Sequence, residues 1–236
     1  MPSLNNLSHR ELALMEALQR LGGSGRSAEL AKMLDVSEET IRRSIKSLAK
    51  AGAVERVHGG AYLAGPQAGP SIFRRLGEDT AEKKIIAAAT LPQIQDGMTV
   101  FLDVGSTTSF VAEALRLRRD LVVVTNSIGV AQMLVNHNGS RLHVLGGEMS
   151  SDERGTFGPM AEQQAGRFVF DVAVLSADAV SSNHGLLFHN ADEAQLAIAV
   201  ARASEQVFVV TAHSKFNERA PHLGPSPQEL DLLVSD

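Results

Sequence analysis

A glycine followed by four hydroxyl residues stands near the middle of the chain. An apolar run at residues 99–104 contains Asp103, and Gly105 then precedes Ser, Thr, Thr and Ser at residues 106–109, before apolar residues at helical spacing. This order predicts a strand, a tight loop and a helix start. Free backbone N–H groups, the helix dipole and hydroxyl donors together form a seat for an anion such as phosphate. One alternative is that Ser106 only caps the helix, but a cap accounts for a single hydroxyl.

The elements around this stretch alternate between helices and apolar strands. A helix is predicted at residues 80–91, with Ile85, Ile86 and Ala89 facing the core. The strands that follow are predicted at residues 99–104, 121–124, 142–145, 172–175, 207–210 and 232–234, and the helices between them at 108–117, 128–135, 160–168 and 193–203. Fully apolar strands separated by helices predict an α/β fold with a parallel-rich sheet covered on both faces.

Polar residues directly follow the first five of these strands, at the sheet edge where ligands bind in such folds. Their hydroxyls, amides, acids and one lysine suit a small phosphorylated sugar or polyol, with donors for the phosphate and carboxylates for the hydroxyls. The predicted effector-binding residues are Asp103, Gly105, Ser106, Thr107, Thr108, Thr125, Asn126, Ser127, Gly146, Gly147, Glu148, Asp178 and Lys215.

The first sixty residues predict three short helices and a hairpin. Ser8 and Glu11 have capping-box spacing, Ser27 opens a second helix, and Ser37 caps a third that runs to about Ala51. Two short β runs around Gly59 and Gly60 then form a hairpin. This is the order of a winged helix-turn-helix, in which the third helix enters the major groove of double-stranded operator DNA.

The third predicted helix has two contrasting faces. Ile41, Ile45 and Leu48 form the stripe that must be buried, and the opposite face carries bases and hydroxyls that suit phosphates and base edges. An alternative is a three-helix domain that binds protein, which the basic outer face disfavours. The predicted DNA-binding residues are Ser37, Thr40, Arg42, Arg43, Lys46, Ser47 and Lys50 of this helix, and Arg56 and His58 of the hairpin.

Charge and composition divide the chain in the same way. Residues 1–62 carry nine Lys and Arg against seven Asp and Glu, whereas residues 63–236 carry thirteen against twenty. Residues 64–71 are rich in Pro and Gly. We therefore predict a winged helix-turn-helix domain at 1–63, a linker at 64–71 and an α/β effector-sensing domain at 72–236.

Several classes of protein are disfavoured by composition. The chain has no cysteine, no long apolar run and no apolar signal segment at its N-terminus, which predicts a cytoplasmic protein that does not associate with membranes. Its histidines lack a metal-ligand spacing. The glycine-rich stretch lacks the Gly-Lys-Ser/Thr of a nucleotide-binding P-loop. We predict no metal, no cofactor and no catalytic residue.

The predicted DNA-binding domain at 1–63, here called the head, and the predicted sensing domain at 72–236, here called the body, both resemble DeoR-type transcriptional regulators. In the head the matching residues are Leu30-Ala31, Val36-Ser37-Glu38-Glu39-Thr40-Ile41-Arg42-Arg43, Leu48, Gly52 and Arg56-Val57-His58-Gly59-Gly60-Ala61. In the body they are Asp103, Gly105-Ser106-Thr107-Thr108, Thr125-Asn126-Ser127, Gly146-Gly147-Glu148, Gly158-Pro159, Ala177-Asp178, Glu193-Ala194 and Ser214-Lys215-Phe216. The chain departs from the family pattern at Ser44 (usually Asp), Ser176 (usually Gly) and Ala212 (usually Asp).

This resemblance implies a sensor domain related to ribose-5-phosphate isomerase and the CoA transferases, and adds Glu193 to the effector-binding residues. It implies a repressor of a sugar or polyol catabolic operon, controlled by a phosphorylated sugar or polyol. A single head offers few phosphate contacts, so we expect a homodimer or higher homo-oligomer. The alternative is a sugar-phosphate isomerase with an appended DNA-binding head, although the glycine-rich segment with Lys and Glu typical of those isomerases is not found after Asp178.

Overall fold

The computed structural model describes residues 8–21, 24–57, 59–63, 72–150 and 153–236. The chain divides into two compact units, residues 1–78 and residues 79–236. The predicted linker and His58 lie outside the described residues. The predicted domain limits stay predictions; the short helix at residues 72–77, which we assigned to the second domain, is grouped with the first unit.

The first unit is a winged helix-turn-helix. Its elements are α1 (His9–Arg20), β1 (Ser24–Arg26), α2 (Ser27–Met33), α3 (Glu38–Lys50), β2 (Val54–Val57), β3 (Gly60–Leu63) and α4 (Ile72–Gly77). The capping box of α1 is confirmed, because the Ser8 N–H donates to Glu11 Oε2 at 2.7 Å and the Glu11 N–H donates to Ser8 Oγ at 3.3 Å. Ser37 caps α3 by accepting from the Thr40 N–H.

The wing has three strands where the sequence predicted two. The antiparallel pair β2–β3 is confirmed, and β1 adds a third strand by pairing with β3, Gly25 facing Ala61 and Arg26 facing Gly60. A Cβ on Gly60 would lie 2.3 Å from the carbonyl oxygen of Gly25, so only glycine allows the two strands to approach this closely. The three-residue strand Ser24–Arg26 has no apolar alternation by which sequence could reveal it.

The second unit is built on a six-stranded parallel sheet in the order β14-β12-β9-β4-β5-β6. All six predicted strands are present. The strands of this sheet are β4 (Thr99–Leu102), β5 (Val122–Thr125), β6 (Arg141–Val144), β9 (Phe170–Leu175), β12 (Ser204–Val210) and β14 (Leu232–Val234). The helices are α5 (Thr80–Thr90), α6 (Ser106–Leu115), α7 (Ile128–Leu134), α8 (Pro159–Ala165) and α9 (Ala191–Arg202).

Helices cover both faces of this sheet, as predicted. Helices α5, α6 and α7 pack on one face, where they share a core with Val100, Leu102 and Val172. Helices α8 and α9 pack on the other face with the alternate strand residues, such as Phe101 and Ala173. Because successive side chains of a strand point to opposite faces of the sheet, each strand contributes residues to two separate apolar layers.

The predicted inward face of α5 is partly wrong. Ile86 is fully buried, but Ile85 is 59% exposed and Ala89 is exposed as well. The buried stripe is Lys83, Ile86, Ala87 and Thr90. Because apolar residues occur on every side of the segment between Ile85 and Ala89, periodicity alone could not distinguish the two faces.

Two small antiparallel sheets complete the second unit. One is the pair β7 (Glu148–Ser150) and β8 (Gly155–Phe157), and the other comprises β10 (Ala179–Ser181), β11 (Gly185–Phe188) and β13 (His222–Leu223). The first folds back on the end of β5, where the Thr156 N–H donates to Asn126 O at 2.9 Å. The second begins directly beyond Asp178, three residues after β9.

Candidate functional site

The order of the large sheet locates its binding crevice. From β4 the chain moves outward to β5 and β6, and it then returns to the other side of β4 to form β9, β12 and β14. The reversal lies between β4 and β9. Helix α6, which follows β4, and helix α9, which comes after β9, pack on opposite faces of the sheet. In open α/β sheets ligands bind at the carboxyl ends of the strands at this switch point.

The hydroxyl cluster forms the first turn of α6 at this crevice. The helix begins at Ser106, two residues earlier than predicted, and its N-cap is Gly105. The hydroxyls of Thr108 and Ser109 donate to the Gly105 carbonyl oxygen at 3.0 and 2.7 Å. Two of the four hydroxyls therefore bond the backbone of the helix start, and no described side chain caps the helix, so the capping alternative is not what these hydroxyls do.

Ser106 and Thr107 are placed differently. Each is 7% exposed, and neither hydroxyl has a hydrogen-bond partner within the described part of the chain. The N–H groups of a first helical turn have no partner inside the helix, and the N-cap glycine has no side chain to satisfy them. The unpaired N–H groups thus point out of the helix at its positive end, and the first turn also carries these two hydroxyls, an arrangement that suits a phosphate.

Ser176, the first residue after β9, lies directly against Gly105. A Cβ added to Gly105 would be 2.4 Å from Ser176 Oγ and 2.9 Å from Thr108 Oγ1. The φ of Gly105 is 171°, an extended conformation open to any residue, so contact with Ser176 and Thr108 is what favours glycine here. From the sequence, Ser176 is one of the polar residues that follow the strands and a departure from the family pattern, but it is not among the predicted effector-binding residues.

Asp103 is 3% exposed, and its Oδ1 accepts the Val104 N–H at 2.8 Å. The same N–H is shared with Asn126 Oδ1 at 3.0 Å. Asp103 thus holds the loop between β4 and α6 in shape. Its predicted second role, contact with the hydroxyls of an effector, stays a prediction.

The predicted residues after β5 are occupied by contacts within the protein. Thr125 Oγ1 donates to Leu102 O at 2.6 Å, Asn126 Nδ2 donates to Thr156 O at 3.3 Å, and Ser127 Oγ accepts the Val130 N–H as the cap of α7. Their exposure is between 0 and 3%. Thr125 joins β5 to β4, whereas Asn126 and Ser127 contact Thr156 and Gly155 of β8, so the geometry of the three supports a structural role.

The predicted residues after β6 also serve the β7–β8 pair. The Gly146 N–H donates to Gln164 Oε1 at 2.7 Å. A Cβ on Gly147, whose φ is +146°, would lie 2.4 Å from Phe157 O, so glycine is required for the close approach of the two strands. Glu148 is exposed at the start of β7. Within the described residues, none of the contacts of these three residues connects them with the switch point between β4 and β9.

The ends of β9 and β12 form the other side of the crevice. Asp178 is half-buried, and its Oδ2 accepts the His189 N–H at 2.8 Å. A bridge between Val180 and Phe216 lays the residues after β12 alongside those after β9, which brings half-buried Lys215 next to this segment. Glu193 is half-buried in the first turn of α9.

Lys83 is a residue that the sequence did not single out. It is only 4% exposed, and lysine is rarely buried unless its charge has a partner. Arg118 Nη2 donates to Leu91 O at 2.9 Å, which joins the C-terminal ends of α5 and α6. Because the two helices pack on the same sheet face, their N-terminal ends, including Lys83 in the first turn of α5, point to the same edge. Its position three residues before Ile86 is the sequence signal that could have revealed it.

The predicted DNA-binding face of α3 is exposed. Arg42 and Arg43 make ion pairs one turn apart with Glu38 at 2.9 Å and Glu39 at 3.2 Å, and Lys46 and Lys50 are exposed. The predicted stripe Ile41, Ile45 and Leu48 is fully or almost fully buried. Exposed ion pairs contribute at most about 1 kcal/mol, so they leave both arginines available to DNA phosphates.

The other residues of this face have mixed positions. Ser37 and Thr40 share a hydroxyl hydrogen bond of 2.8 Å at the start of α3, and Arg56 is exposed on β2. The hydroxyl of Ser47 lowers the pKa of Glu11, and Ser8 adds to this effect through its hydroxyl and its N–H. Ser47 therefore contacts α1, so its predicted role in DNA binding competes with a role within the head.

Two family models match the chain. One, described as the DeoR C-terminal sensor domain, matches residues 78–236, and the other, described as the DeoR-like helix-turn-helix domain, matches residues 10–67. The chain belongs to the DeoR family. The family and fold predicted from sequence are confirmed, and the winged head and parallel sheet described above are those of a DeoR-type regulator.

Curated relatives are similar over most of their length. The chain is 33% identical to the glycerol-3-phosphate regulon repressor of Escherichia coli strain K12, covering 88% of this chain and 82% of that protein. It is 30% identical to the transcriptional repressor AccR of Agrobacterium fabrum, covering 98% and 90%. It is 34% identical to the HTH-type transcriptional repressor CsqR of E. coli strain K12, covering 81% and 74%.

Among solved structures, the chain is similar to ribose 5-phosphate isomerase A from Methanocaldococcus jannaschii. The TM-score is 0.44 at 16% identity, with 59% of this chain and 55% of that chain covered. No helix in the described ranges is long and apolar enough to cross a membrane. Those ranges also contain no group of three or more His, Asp or Glu that could hold a metal ion.

Proposed function

We propose that this DeoR-family protein represses a catabolic operon for a sugar or polyol, and that a phosphorylated sugar or polyol bound at the β4–β9 switch point changes its affinity for operator DNA. The observation that carries the proposal is the pair Ser106 and Thr107 at the N-terminus of α6, whose hydroxyls have no hydrogen-bond partner among the described residues. The repressors among the relatives support the regulatory role, and the regulon name of one relative supports a phosphorylated polyol as the class of effector.

Charge supports a phosphate at this site. Lys215 lies beside the segment after β9, and Lys83 is buried at the edge where α6 begins. We propose that one or both ammonium groups offset the phosphate charge, and that Asp178 and Glu193 accept hydrogen bonds from sugar hydroxyls. Coupling to the head requires that the effector bind the two operator-affinity states unequally.

We further propose that the protein acts in the cytoplasm as a homodimer or higher oligomer. One winged head presents one recognition helix, whereas two heads can engage repeated half-sites on the operator. Light scattering on the full chain tests this assembly. A monomer at the concentration that saturates the operator would contradict it.

The rival function is a sugar-phosphate isomerase with a DNA-binding head. We propose that the protein is a regulator without this activity, because the residues after Asp178 continue directly into β10 and the turn at residues 182–184. The test is conversion of ribose 5-phosphate and of aminosugar phosphates by the purified protein. Sustained turnover that Asp103→Ala abolishes would favour the enzyme.

The central experiment measures operator binding with and without effector. A thermal-shift screen of phosphorylated sugars and polyols first finds the ligand, which at 100 times its Kd stabilises the protein by about 2.7 kcal/mol. Thr107→Ala then removes a hydrogen bond to a charged group, and effector affinity falls by roughly 10- to 100-fold. Operator affinity without effector stays at the wild-type value.

Two further variants sharpen this experiment. Lys215→Ala should reduce the preference for phosphorylated over unphosphorylated ligands more than Thr107→Ala does, because it removes a full charge. Thr99→Ala, at the opposite end of β4, is the matched control and should keep the effector response. A wild-type response in both Thr107→Ala and Lys215→Ala would place the phosphate elsewhere.

A further inference from the structure

Ser176 Oγ occupies the space that a side chain of the α6 N-cap residue would fill. In most helices the N-cap residue carries a side-chain oxygen beside the free N–H groups of the first turn. Here the N-cap is Gly105, which has none, and Ser176 Oγ lies 2.4 Å from the position of its missing Cβ. The adjacent strand β9 therefore delivers a hydroxyl oxygen to the place where α6 itself provides no oxygen.

The backbone fixes this contact. Strands β4 and β9 pair in parallel with Leu102 opposite Val174, and the Asp103 N–H donates to Val174 O at 3.1 Å. This pairing continues up to the residue before Val104, so the segments containing Gly105 and Ser176 leave the sheet side by side. The position of Ser176 is thus set by the sheet and not by the flexibility of a loop.

The hydroxyl of Ser176 is also available. Ser176 is half-buried, and its Oγ makes no hydrogen bond to any residue that the structure describes. The neighbouring Thr108 hydroxyl, in contrast, donates to the Gly105 carbonyl oxygen. A half-buried hydroxyl without a partner, in contact with a helix N-terminus at a switch point, is placed to donate to a ligand.

We propose that Ser176 is a further binding residue of the effector site, donating a hydrogen bond to the phosphate held at the N-terminus of α6. This inference rests on the proposed function. Ser106 and Thr107 approach the phosphate from the helix, and Ser176 approaches it from β9, so one tetrahedral group contacts both sides of the crevice. Effector binding then links the two strands at which the chain order reverses.

The test measures binding of inorganic phosphate and of ribose 5-phosphate to the full-length protein by calorimetry. Ser176→Ala should weaken both ligands by about 10-fold or more, the loss expected for a hydrogen bond to a charged group. Ser176→Thr keeps the hydroxyl and should bind within a few-fold of wild type. Ser181→Ala is the control, because its hydroxyl accepts the N–H groups of Asn183 and His184 in a turn beyond the site.

The outcomes separate this inference from the proposed function. If Thr107→Ala weakens phosphate binding and Ser176→Ala leaves it unchanged, the inference is overturned and the phosphate site stands. If the wild-type protein binds neither probe, the inference is overturned, and the thermal-shift screen of phosphorylated sugars and polyols decides the proposed function separately. A structural role predicts that affinity follows the unfolding temperature across the Ala, Gly and Thr variants at 176. That result would also overturn the inference, which requires affinity to follow the presence of the hydroxyl.

Discussion

The sequence could not distinguish a structural role of Asn126 from a ligand-binding role, whereas the structure supports the structural one. Its residue type and place after a strand predicted a ligand contact, but its side chain is fully buried and bonded within the protein. Oδ1 accepts the Val104 N–H at 3.0 Å, and Nδ2 donates to Thr156 O at 3.3 Å. We expect Asn126→Ala to lower stability and to leave effector binding intact in the protein that remains folded.

The magnitude follows from these two bonds. Each contributes about 0.5–1.5 kcal/mol net, and leaving the buried Thr156 carbonyl without its side-chain donor adds about 1 kcal/mol or more. The Val104 N–H keeps a partner, because Asp103 Oδ1 also accepts it at 2.8 Å. The loss is therefore about 2–4 kcal/mol. At about 2–4 °C per kcal/mol for a unit of this size, the melting temperature of residues 79–236 should fall by about 4–16 °C.

Circular dichroism during heating and urea denaturation measure this change. Asn183→Ala is the matched control, since Asn183 is exposed in a turn and should change stability by no more than about 0.5 kcal/mol. Effector affinity is then measured well below the melting temperature. A variant with the wild-type melting temperature and no effector binding would refute the structural assignment and restore Asn126 to the ligand site.

Three further predictions concern the DNA-binding head. Arg43→Ala should weaken operator binding, and it should lower the slope of log affinity against log salt concentration by about 1 if Arg43 contacts a phosphate. Glu39→Gln frees Arg43 from its 3.2 Å ion pair and should strengthen binding. Mobility-shift titrations at several salt concentrations measure both variants, and equal affinities would exclude α3 as the helix that contacts DNA. Gly60→Ala places a Cβ 2.3 Å from a backbone oxygen of the facing strand, so it should destabilise the head by about 1–3 kcal/mol in urea denaturation, and unchanged stability would refute this close packing. The pKa of Glu11 is lowered from 4.5, chiefly by the Ser47 hydroxyl, so the stabilisation by the Glu11 carboxylate is present above pH 4.5 and is lost as the pH falls through the lowered pKa. In Ser47→Ala, NMR titration of the carboxyl group should show the pKa of Glu11 returning towards 4.5. An unchanged pKa would show that Ser47 does not contact Glu11.

Local pattern was sufficient where burial followed a single periodicity. The stripe Ile41, Ile45 and Leu48 of α3 repeats at helical spacing against charged neighbours, and all three are buried as predicted. In α5 the adjacent pair Ile85 and Ile86 precedes three alanines, and the predicted face included Ile85, which is exposed. Lys83 escaped notice because the predicted inward face included Ile85 and Ala89, although its place three residues before the buried Ile86 puts it on the true inward face.

Contacts between segments distant in sequence could not be predicted from the local sequence pattern. The residues after β5 and β6 have the composition of a ligand site, and they come after parallel strands as such sites do. Their partners are Thr156 and Phe157 of β8, about thirty and ten residues further on. Nothing local to Asn126 or Gly147 predicts that β8 returns to contact them, so five strand ends were given the same weight.

Strand order explains why these five ends are not equivalent. A polar residue after a parallel strand is available to a ligand only where neighbouring connections leave in opposite directions and open a crevice. Between β4 and β9 they do so, with α6 on one face and α9 on the other. Beyond β4 the chain moves steadily outward through β5 to β6, and the β7–β8 pair covers the strand ends there. Three hydroxyls with no hydrogen-bond partner among the described residues, those of Ser106, Thr107 and Ser176, lie at the reversal. The sheet order and the hydrogen-bond pattern, two independent observations, therefore converge on one site.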